Sequence, residues 1–197
     1  RGSWARTGHM RALLTDAVRR IRAAAESEGR RRGRPILLSV RVPDSVPYCR
    51  EVGIDLEAWL SEGLVDLVAA TSYWQHHPWS YMVELCRKHG VKCYASLDEC
   101  RLPETAETPL KRMTVATYRA RAMAARQAGV DGVLYFNLFT PKQIRSFMWG
   151  SPERMRLHDK CYFVSYRGDN RQAGRYLKGG ERHSSLRELS ARKPSVL

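Results

Sequence analysis

The sequence predicts an α/β fold built on parallel strands, and a repeated pattern supports this prediction. Segments with helical periodicity alternate with short apolar segments typical of strands. Three of the predicted helices end at a glycine that leads through one apolar residue into a strand, in EGLVD (62–66), HGVKC (89–93) and AGVDG (128–132). Such alternation requires parallel pairing of the strands through right-handed crossovers. We therefore place the chain in the α/β class.

The first unit is a helix followed by a buried strand. Apolar residues at helical spacing predict a helix over 13–28 that Gly29 closes. Its buried face is expected to hold four apolar residues, Leu14, Val18, Ile21 and Ala25. A continuous apolar run over 35–42 predicts a strand that is covered on both faces.

The later units follow the same plan. The further strands are predicted at 64–74, 91–97 and 130–139, and the helices at 55–60, 78–89 and 115–128. Asp55 and Thr114 are residues that cap helices well, and Pro78 suits the first helical position. Each helix start therefore has a local signal of its own.

The alternation of strand and helix ends after residue 140. Residues 160–166 alternate between polar and apolar side chains, which predicts an antiparallel strand. The pair Gly179-Gly180 predicts the tip of a hairpin over 175–186. We predict that residues 151–197 are the start of a small β-rich module.

Two architectures satisfy the pattern of parallel units. One is an open doubly wound sheet, and the other is a (β/α)₈ barrel, which typically needs about 250 residues. No glycine-rich phosphate loop follows any predicted strand, as many doubly wound folds would require. Polar residues instead follow the carboxyl end of every strand, and in both architectures that edge carries the functional site.

Several long segments resemble one family. They are LLTDAVRRIRAAAESEGRRRGRPILLSVRVPDSVPYCREVGIDLEAWLSEGLVDLVAATSYW, CYASLDECR, GVDGVLYFNLF and the tail LHDKCYFV…RYLKGGER. In this order they are similar to the glycosyl-hydrolase-like barrel proteins related to glycoside hydrolase family ten. The resemblance covers roughly residues 10–185. It implies a (β/α)₈ barrel of TIM-barrel type that acts on glycosidic bonds, followed by a β-rich domain.

The resemblance also implies that only half of the barrel is present. The four predicted strands match the fifth to eighth strands of the family's barrel, within residues 11–150. Residues 1–10 are then an N-terminal extension or an expression tag. We expect the N-terminal half of the barrel as a partner, an oligosaccharide or polysaccharide as ligand, and no cofactor. The alternatives are a non-catalytic carbohydrate-binding remnant and, less favoured, a basic nucleic-acid-binding protein.

Glycoside hydrolysis requires two carboxyl groups, and this chain offers candidate residues for one of the two. The strand that matches strand seven of the barrel runs into Asp98 and Glu99. Glu99 resembles the family's acidic residue at this position, so it is the first candidate for nucleophile or base, and Asp98 is the second. Either carboxylate could instead cap or solvate the loop that follows.

Five further residues are candidates for substrate binding: Arg41, Tyr73, Trp74, Trp79 and Asn137. Arg41 could orient a carboxylate, hold an anionic substrate group, or pair with Asp44 or Glu99. Tyr73 and Asn137 could bond sugar hydroxyls. Trp74 and Trp79 could stack on a pyranose ring, although packing is the commoner use of such aromatics.

The net charge of +14 does not by itself indicate a nucleic-acid partner. Residues 1–34 carry +7 and residues 151–197 carry +6, whereas 35–150 carry only +1. No recognition motif accompanies the basic run at 30–34, and no apolar run is long enough to span a membrane. We therefore expect neither nucleic acid nor membrane as a partner.

The sequence predicts no metal site. The five cysteines form no C-x-x-C pair, so buried free thiols are the favoured interpretation. The pair His76-His77 has no acidic residue close to it in the sequence, which argues against a metal site there as well.

Overall fold

A computed structural model describes residues 3–70, 75–97, 114–136, 151–162 and His183 of the chain. Within these residues, helices and short strands alternate as the sequence predicts. The elements in chain order are α1 Ser3–Arg32, β1 Ser39–Val42, α2 Val46–Glu51, α3 Leu56–Ser61, β2 Leu67–Ala70, α4 Trp79–Lys88, β3 Lys92–Leu97, α5 Val115–Gln127, β4 Gly132–Tyr135 and α6 Pro152–Arg156.

The four described strands form one parallel sheet in chain order, β1-β2-β3-β4. Val42 pairs with Ala70, Ala70 with Ala95, and Ala95 with Val133, so one register row crosses the whole sheet. The predicted α/β class with a parallel sheet is confirmed.

The described helices pack against one face of this sheet. Side chains of a strand alternate between its two faces, and the apolar residues of one face join the helices in the core. The strand residues in this core are Val42, Val68, Ala70, Cys93 and Ala95, and the helix residues include Val18, Leu56, Trp59, Met82 and Cys86. A second cluster joins Leu97 to α5 and α6 through Tyr118, Met123 and Met155.

Helix α1 is longer than predicted, and it buries a different face. It runs through residues 3–10, and it passes Gly29 to end before Gly33, whose φ of 67° is the left-handed conformation expected at a helix end. Val18 and Ala25 are buried as predicted, whereas Leu14 and Ile21 are exposed.

Two polar residues of α1 account for the face that it buries. The Trp59 indole N–H donates to the Thr15 hydroxyl over 3.0 Å. Arg22 donates to the carbonyl of Leu64 and to the carboxylate of Asp66. These partners turn the side of α1 that carries Thr15 and Arg22 towards the core, which amphipathic spacing alone did not predict.

The predicted caps and glycine stops are largely confirmed. Asp55 accepts from the Ala58 N–H and Thr114 accepts from the Thr117 N–H, at the starts of α3 and α5. The glycines of the three repeated motifs, Gly63, Gly90 and Gly129, all have positive φ. Pro78 is the N-cap residue of α4 and not its first helical residue, because the helix begins at Trp79.

Two short helices were not predicted. Both α2 and α6 begin after a serine, Ser45 and Ser151, whose hydroxyl accepts a backbone N–H three residues later, and both have a proline in their first turn. Serine followed closely by proline is therefore a signal that the sequence analysis overlooked.

The expected β-rich tail can be compared with the structure over only a few residues. Residues 160–162 are not in a strand, so the predicted strand is wrong there, and the Cys161 N–H instead donates to the Ala116 carbonyl. The rest of that strand and the predicted hairpin lie outside the described residues, except for His183. No helix in the described part of the chain is long and apolar enough to cross a membrane.

Candidate functional site

The carboxyl ends of the four strands meet at one edge of the sheet, here called the carboxyl edge. The strands end there at Val42, Ala70, Leu97 and Tyr135. Of the residues that the sequence analysis assigned to the site, the structure describes Arg41 and Trp79. Glu99, Asp98, Tyr73, Trp74 and Asn137 follow the ends of the strands along the chain, but they lie outside the described residues.

Arg41 lies on the face of the sheet opposite the helices. Its register row contains Ala69, Tyr94 and Gly132, none of which belongs to the helix-facing core. The Arg41 guanidinium stands over the ring of Phe136, 3.8 Å from the ring centroid. This cation–π contact joins the first strand to the residue that follows the fourth strand.

The same face contains a close side-chain approach. The ring of Tyr94 fills the space that a side chain at position 132 would need, since a Cβ there would overlap the ring. Gly132 is thus required by packing against the neighbouring strand.

Ser96 is a residue that the sequence analysis did not assign to the site. It precedes the last residue of β3, and the register pairs it with Leu134 on the face that carries Tyr94 and Arg41. Its side chain is buried, and its Oγ has no hydrogen-bond partner among the described residues. A buried hydroxyl of this kind can donate to a ligand at the carboxyl edge.

Asp44 and His76 form a buried pair at the carboxyl edge. Asp44 Oδ2 accepts the backbone N–H groups of His76, over 2.8 Å, and of His77, over 3.0 Å. Its Oδ1 lies 3.1 Å from His76 Nδ1. The carboxylate thereby joins the loop after β1 to the segment that follows β2.

This pair corrects two expectations. No acidic residue is close to the histidine pair in the sequence, but the fold brings Asp44 against it. It also allowed an ion pair between Arg41 and Asp44, whereas both carboxylate oxygens of Asp44 are taken by the histidine segment. Since Asp44 and His76 are both buried, their role in the described structure is to hold two loops together.

Further contacts extend this junction. The ring of Tyr48 lies 5.1 Å from that of His76, and His77 stacks on Tyr81 at 4.2 Å. His183 joins from the tail, with its Nε2 3.1 Å from a carboxylate oxygen of Glu51. The junction therefore contains residues from three separate parts of the chain.

Burial changes the pKa of two groups at the junction. Desolvation lowers the pKa of His77 below its ordinary value, more than the nearby carboxylate of Asp44 raises it. Burial and, second, the Asp44 charge raise the pKa of the Cys49 thiol to about 12. Cys49 therefore stays protonated at neutral pH and is a poor nucleophile.

Trp79, the other described candidate, is the first residue of α4. It is half-buried and packs against both apolar clusters. The structure therefore gives it a packing contact, which is one of the two uses that its position suggests.

The predictions about cysteines and metals can be compared with the structure only for the described residues. Cys49, Cys86 and Cys93 are buried free thiols, as predicted, and Cys161 is a half-buried free thiol. A hydrogen bond with Cys86 and burial raise the pKa of Cys93. Within the described ranges, no three His, Cys, Asp or Glu side chains are grouped so that they could hold a metal ion.

Comparison with known proteins assigns no family to this chain. No protein-family model matches it. No curated protein matches it either. The interpretation of the site therefore depends on the residues and their geometry.

Proposed function

We propose that this chain is the C-terminal half of a (β/α)₈-type barrel that acts on or binds a carbohydrate at its carboxyl edge. One observation carries the proposal. The four described strands are parallel and adjacent in chain order, and the described helices pack on one face. A doubly wound sheet reverses its strand order, whereas a barrel keeps its strands in chain order throughout.

The Arg41 contact supports a curved sheet. In a flat sheet, the first and fourth strands lie about 14 Å apart. Phe136 is also four residues beyond Gly132, which shares the register row of Arg41. The guanidinium nevertheless stands 3.8 Å from the Phe136 ring centroid. Such a contact favours a sheet that curls towards the face opposite the described helices, as a barrel wall does.

The proposed chemistry needs one carboxyl group from this chain. Glu99 would act as nucleophile or base, and Asp98 is the second candidate, since both follow β3 directly. The other carboxyl group would come from the N-terminal half of the barrel. We therefore expect the 197-residue chain to bind its carbohydrate without hydrolysing it.

The remaining candidates would hold the sugar. Arg41 and Ser96 share one face of the sheet and can donate hydrogen bonds to hydroxyl or carboxylate oxygens of a substrate. Tyr73 and Asn137 would bond further hydroxyls. Trp74 and Trp79 would supply aromatic surface.

Binding without cleavage is the second candidate function. Asp44 is a carboxylate at the carboxyl edge, but its oxygens accept hydrogen bonds that hold two loops together, so we assign it no catalytic role. A chain whose Glu99 is also structural would bind carbohydrate without reacting. This candidate belongs to a different class, since it is a binding module and not an enzyme.

Affinity electrophoresis of the full chain through gels that contain soluble plant or bacterial polysaccharides tests the proposal. Retention by at least one polysaccharide is expected, and Arg41→Ala should weaken it about tenfold because the guanidinium's hydrogen bonds are lost. Lys88→Ala removes an exposed cation at the end of α4 and is the matched control. Equal retention of the Arg41 and Lys88 variants, or no retention of the chain, would contradict the proposal.

The catalytic assignment needs the complete barrel. With the N-terminal half supplied, Glu99→Gln should lower kcat by about two orders of magnitude or more while retention in the gel persists. Unchanged kcat would remove Glu99 from the mechanism. If neither the completed barrel nor its Glu99→Gln variant hydrolyses a carbohydrate, the result would favour the binding module. Retention on DNA that falls steeply with salt would instead favour a nucleic-acid-binding protein.

A further inference from the structure

Helix α1 carries a second apolar face that nothing in the described structure covers. Met10, Leu13, Leu14 and Ile21 are 56%, 52%, 38% and 54% exposed. The buried face of the same helix is a different one, and it includes Val18 and Ala25. Four large apolar side chains exposed along one helix are unusual for a surface that meets only water.

The exposed apolar residues of α1 have the spacing that suits packing against a second helix. Met10, Leu14, Ala17, Ile21 and Ala24 follow one another at alternating intervals of four and three residues, and all five are exposed. We call these five residues and Leu13 the apolar stripe. Alternating intervals of three and four place side chains along one line of a helix, the arrangement that packs between the side chains of a second helix.

The size of the residues also favours a helix over a lipid surface. Ala17 and Ala24 are small, so a neighbouring backbone can approach α1 closely at these two positions. Helices that lie on membranes instead present large Trp, Phe and Leu side chains along their whole apolar face. The apolar stripe contains no aromatic residue.

The charge of α1 indicates the chemistry of that second helix. The helix contains eight arginines against three acidic residues. Two of these arginines, Arg20 and Arg31, are largely exposed and form ion pairs with Asp16 and Glu28 of the same helix, which still leaves α1 with five more arginines than acidic residues. A second copy of α1 would bring two strongly basic helices together, whereas a helix with acidic residues beside its apolar face would complement them.

We propose that the apolar stripe is the docking surface for an amphipathic helix of another polypeptide, apolar at the same three-and-four spacing and flanked by Glu or Asp. The proposal does not depend on the carbohydrate chemistry, because the stripe lies on α1 and not at the carboxyl edge.

The test uses the full chain and a synthetic helical peptide of about four heptads, with Leu at positions a and d and Glu at e and g. A second peptide has Lys in place of Glu. Fluorescence anisotropy should show binding of the Glu peptide and at least tenfold weaker binding of the Lys peptide. Ile21→Glu should weaken binding of the Glu peptide at least tenfold.

Ala23→Glu is the matched control. Ala23 is exposed on α1 away from the apolar stripe, and its substitution changes the charge of the helix by the same amount as Ile21→Glu. It should leave the affinity within about twofold, and circular dichroism should show equal helix content in all three chains. Equal effects of the two substitutions would show that charge alone drives binding and would overturn the proposal.

Other occupants give different results, and each overturns the proposal. A dimer in light scattering that Ile21→Glu dissociates would assign the stripe to a second copy of the chain. Cosedimentation with vesicles of phosphatidylserine and phosphatidylcholine that Ile21→Glu abolishes, without binding of either peptide, would assign it to a membrane surface.

Discussion

Aspartate side chains have different hydrogen-bond partners at the two edges of the sheet. At the amino edge, where the strands begin, one arrangement occurs twice. Asp66 precedes β2 and accepts the Leu38 N–H over 2.7 Å, and Asp131 precedes β4 and accepts the Cys93 N–H over 2.9 Å. Each carboxylate also binds a cation, Arg22 over 2.8 Å for Asp66 and Lys92 over 2.8 Å for Asp131.

At the carboxyl edge, the described carboxylate does something different. Asp44 binds two backbone N–H groups and a histidine ring of one distant segment, and its side chain is 2% exposed, whereas the Asp131 side chain is 34% exposed. The arrangement recurs before β2 and β4 because, in each case, a backbone N–H of the neighbouring strand needs an acceptor. The carboxylate described at the carboxyl edge instead joins two loops that are distant in the sequence.

The largest expected difference between the edges is in stability. Asp44→Ala should lower the free energy of unfolding by about 3 kcal/mol, because it leaves the buried N–H of His76 and the half-buried N–H of His77 without an acceptor. Asp131→Ala should cost less, about 1 to 2 kcal/mol, because it leaves only the N–H of Cys93 without an acceptor and its ion pair with Lys92 is partly exposed. Urea denaturation of the two variants and the unmodified chain measures both costs.

The proposed difference between the edges is contradicted if Asp44→Ala and Asp131→Ala lower the free energy of unfolding by the same amount. Equal losses would mean that the buried junction at the carboxyl edge contributes no more to stability than a partly exposed ion pair. Asp44→Asn gives a further control, since its amide retains one acceptor oxygen and should lose less stability than Asp44→Ala.

A smaller effect should test whether the glycines that end the helices before β2 and β3 are equivalent. Gly63 and Gly90 have φ values of 65° and 69°, and within the described part of the chain no neighbouring atom would lie within 4 Å of a Cβ at either position. Alanine at either site should therefore cost about 1 kcal/mol from backbone conformation alone. Thermal denaturation of Gly63→Ala and Gly90→Ala should give matching losses, and clearly unequal losses would show that the two strand starts differ.

Local signals in the sequence explain which parts of the fold could be predicted. The caps at Asp55 and Thr114 and the glycine stops depend on residues within one turn, so the sequence reveals them. The buried face of α1 depends on Thr15 meeting Trp59, 44 residues away, and no local pattern contains that contact. Amphipathic spacing therefore predicted the helix but not its orientation.

The candidate site divides in the same way. The position of Arg41 near the end of β1 followed from the strand pattern, but its contact with Phe136 depends on how the sheet bends. The Asp44–His76 pair joins residues 32 positions apart, and the sequence shows only a histidine pair beside a proline. Both features require the three-dimensional arrangement of the strands.

The smallest expected effect concerns pH, and it contrasts His77 at the carboxyl edge with Lys92 at the amino edge. Burial lowers the pKa of His77 below its ordinary value of 6.5, so below about pH 6.5 the unfolded chain binds a proton there that the folded chain resists. This contribution destabilises the fold as the pH falls, and His77→Gln removes it. As the pH falls from about 7.5 to about 5.5, the stability of the His77→Gln variant, measured by urea denaturation, should therefore rise relative to that of the unmodified chain.

Lys92→Gln is the control at the amino edge. It should change the free energy of unfolding by the same amount at both pH values, because the Asp131 carboxylate raises the pKa of Lys92 and keeps it charged throughout. If the effect of His77→Gln does not depend on pH, the pKa of His77 is the same in the folded and the unfolded chain, which would contradict the prediction.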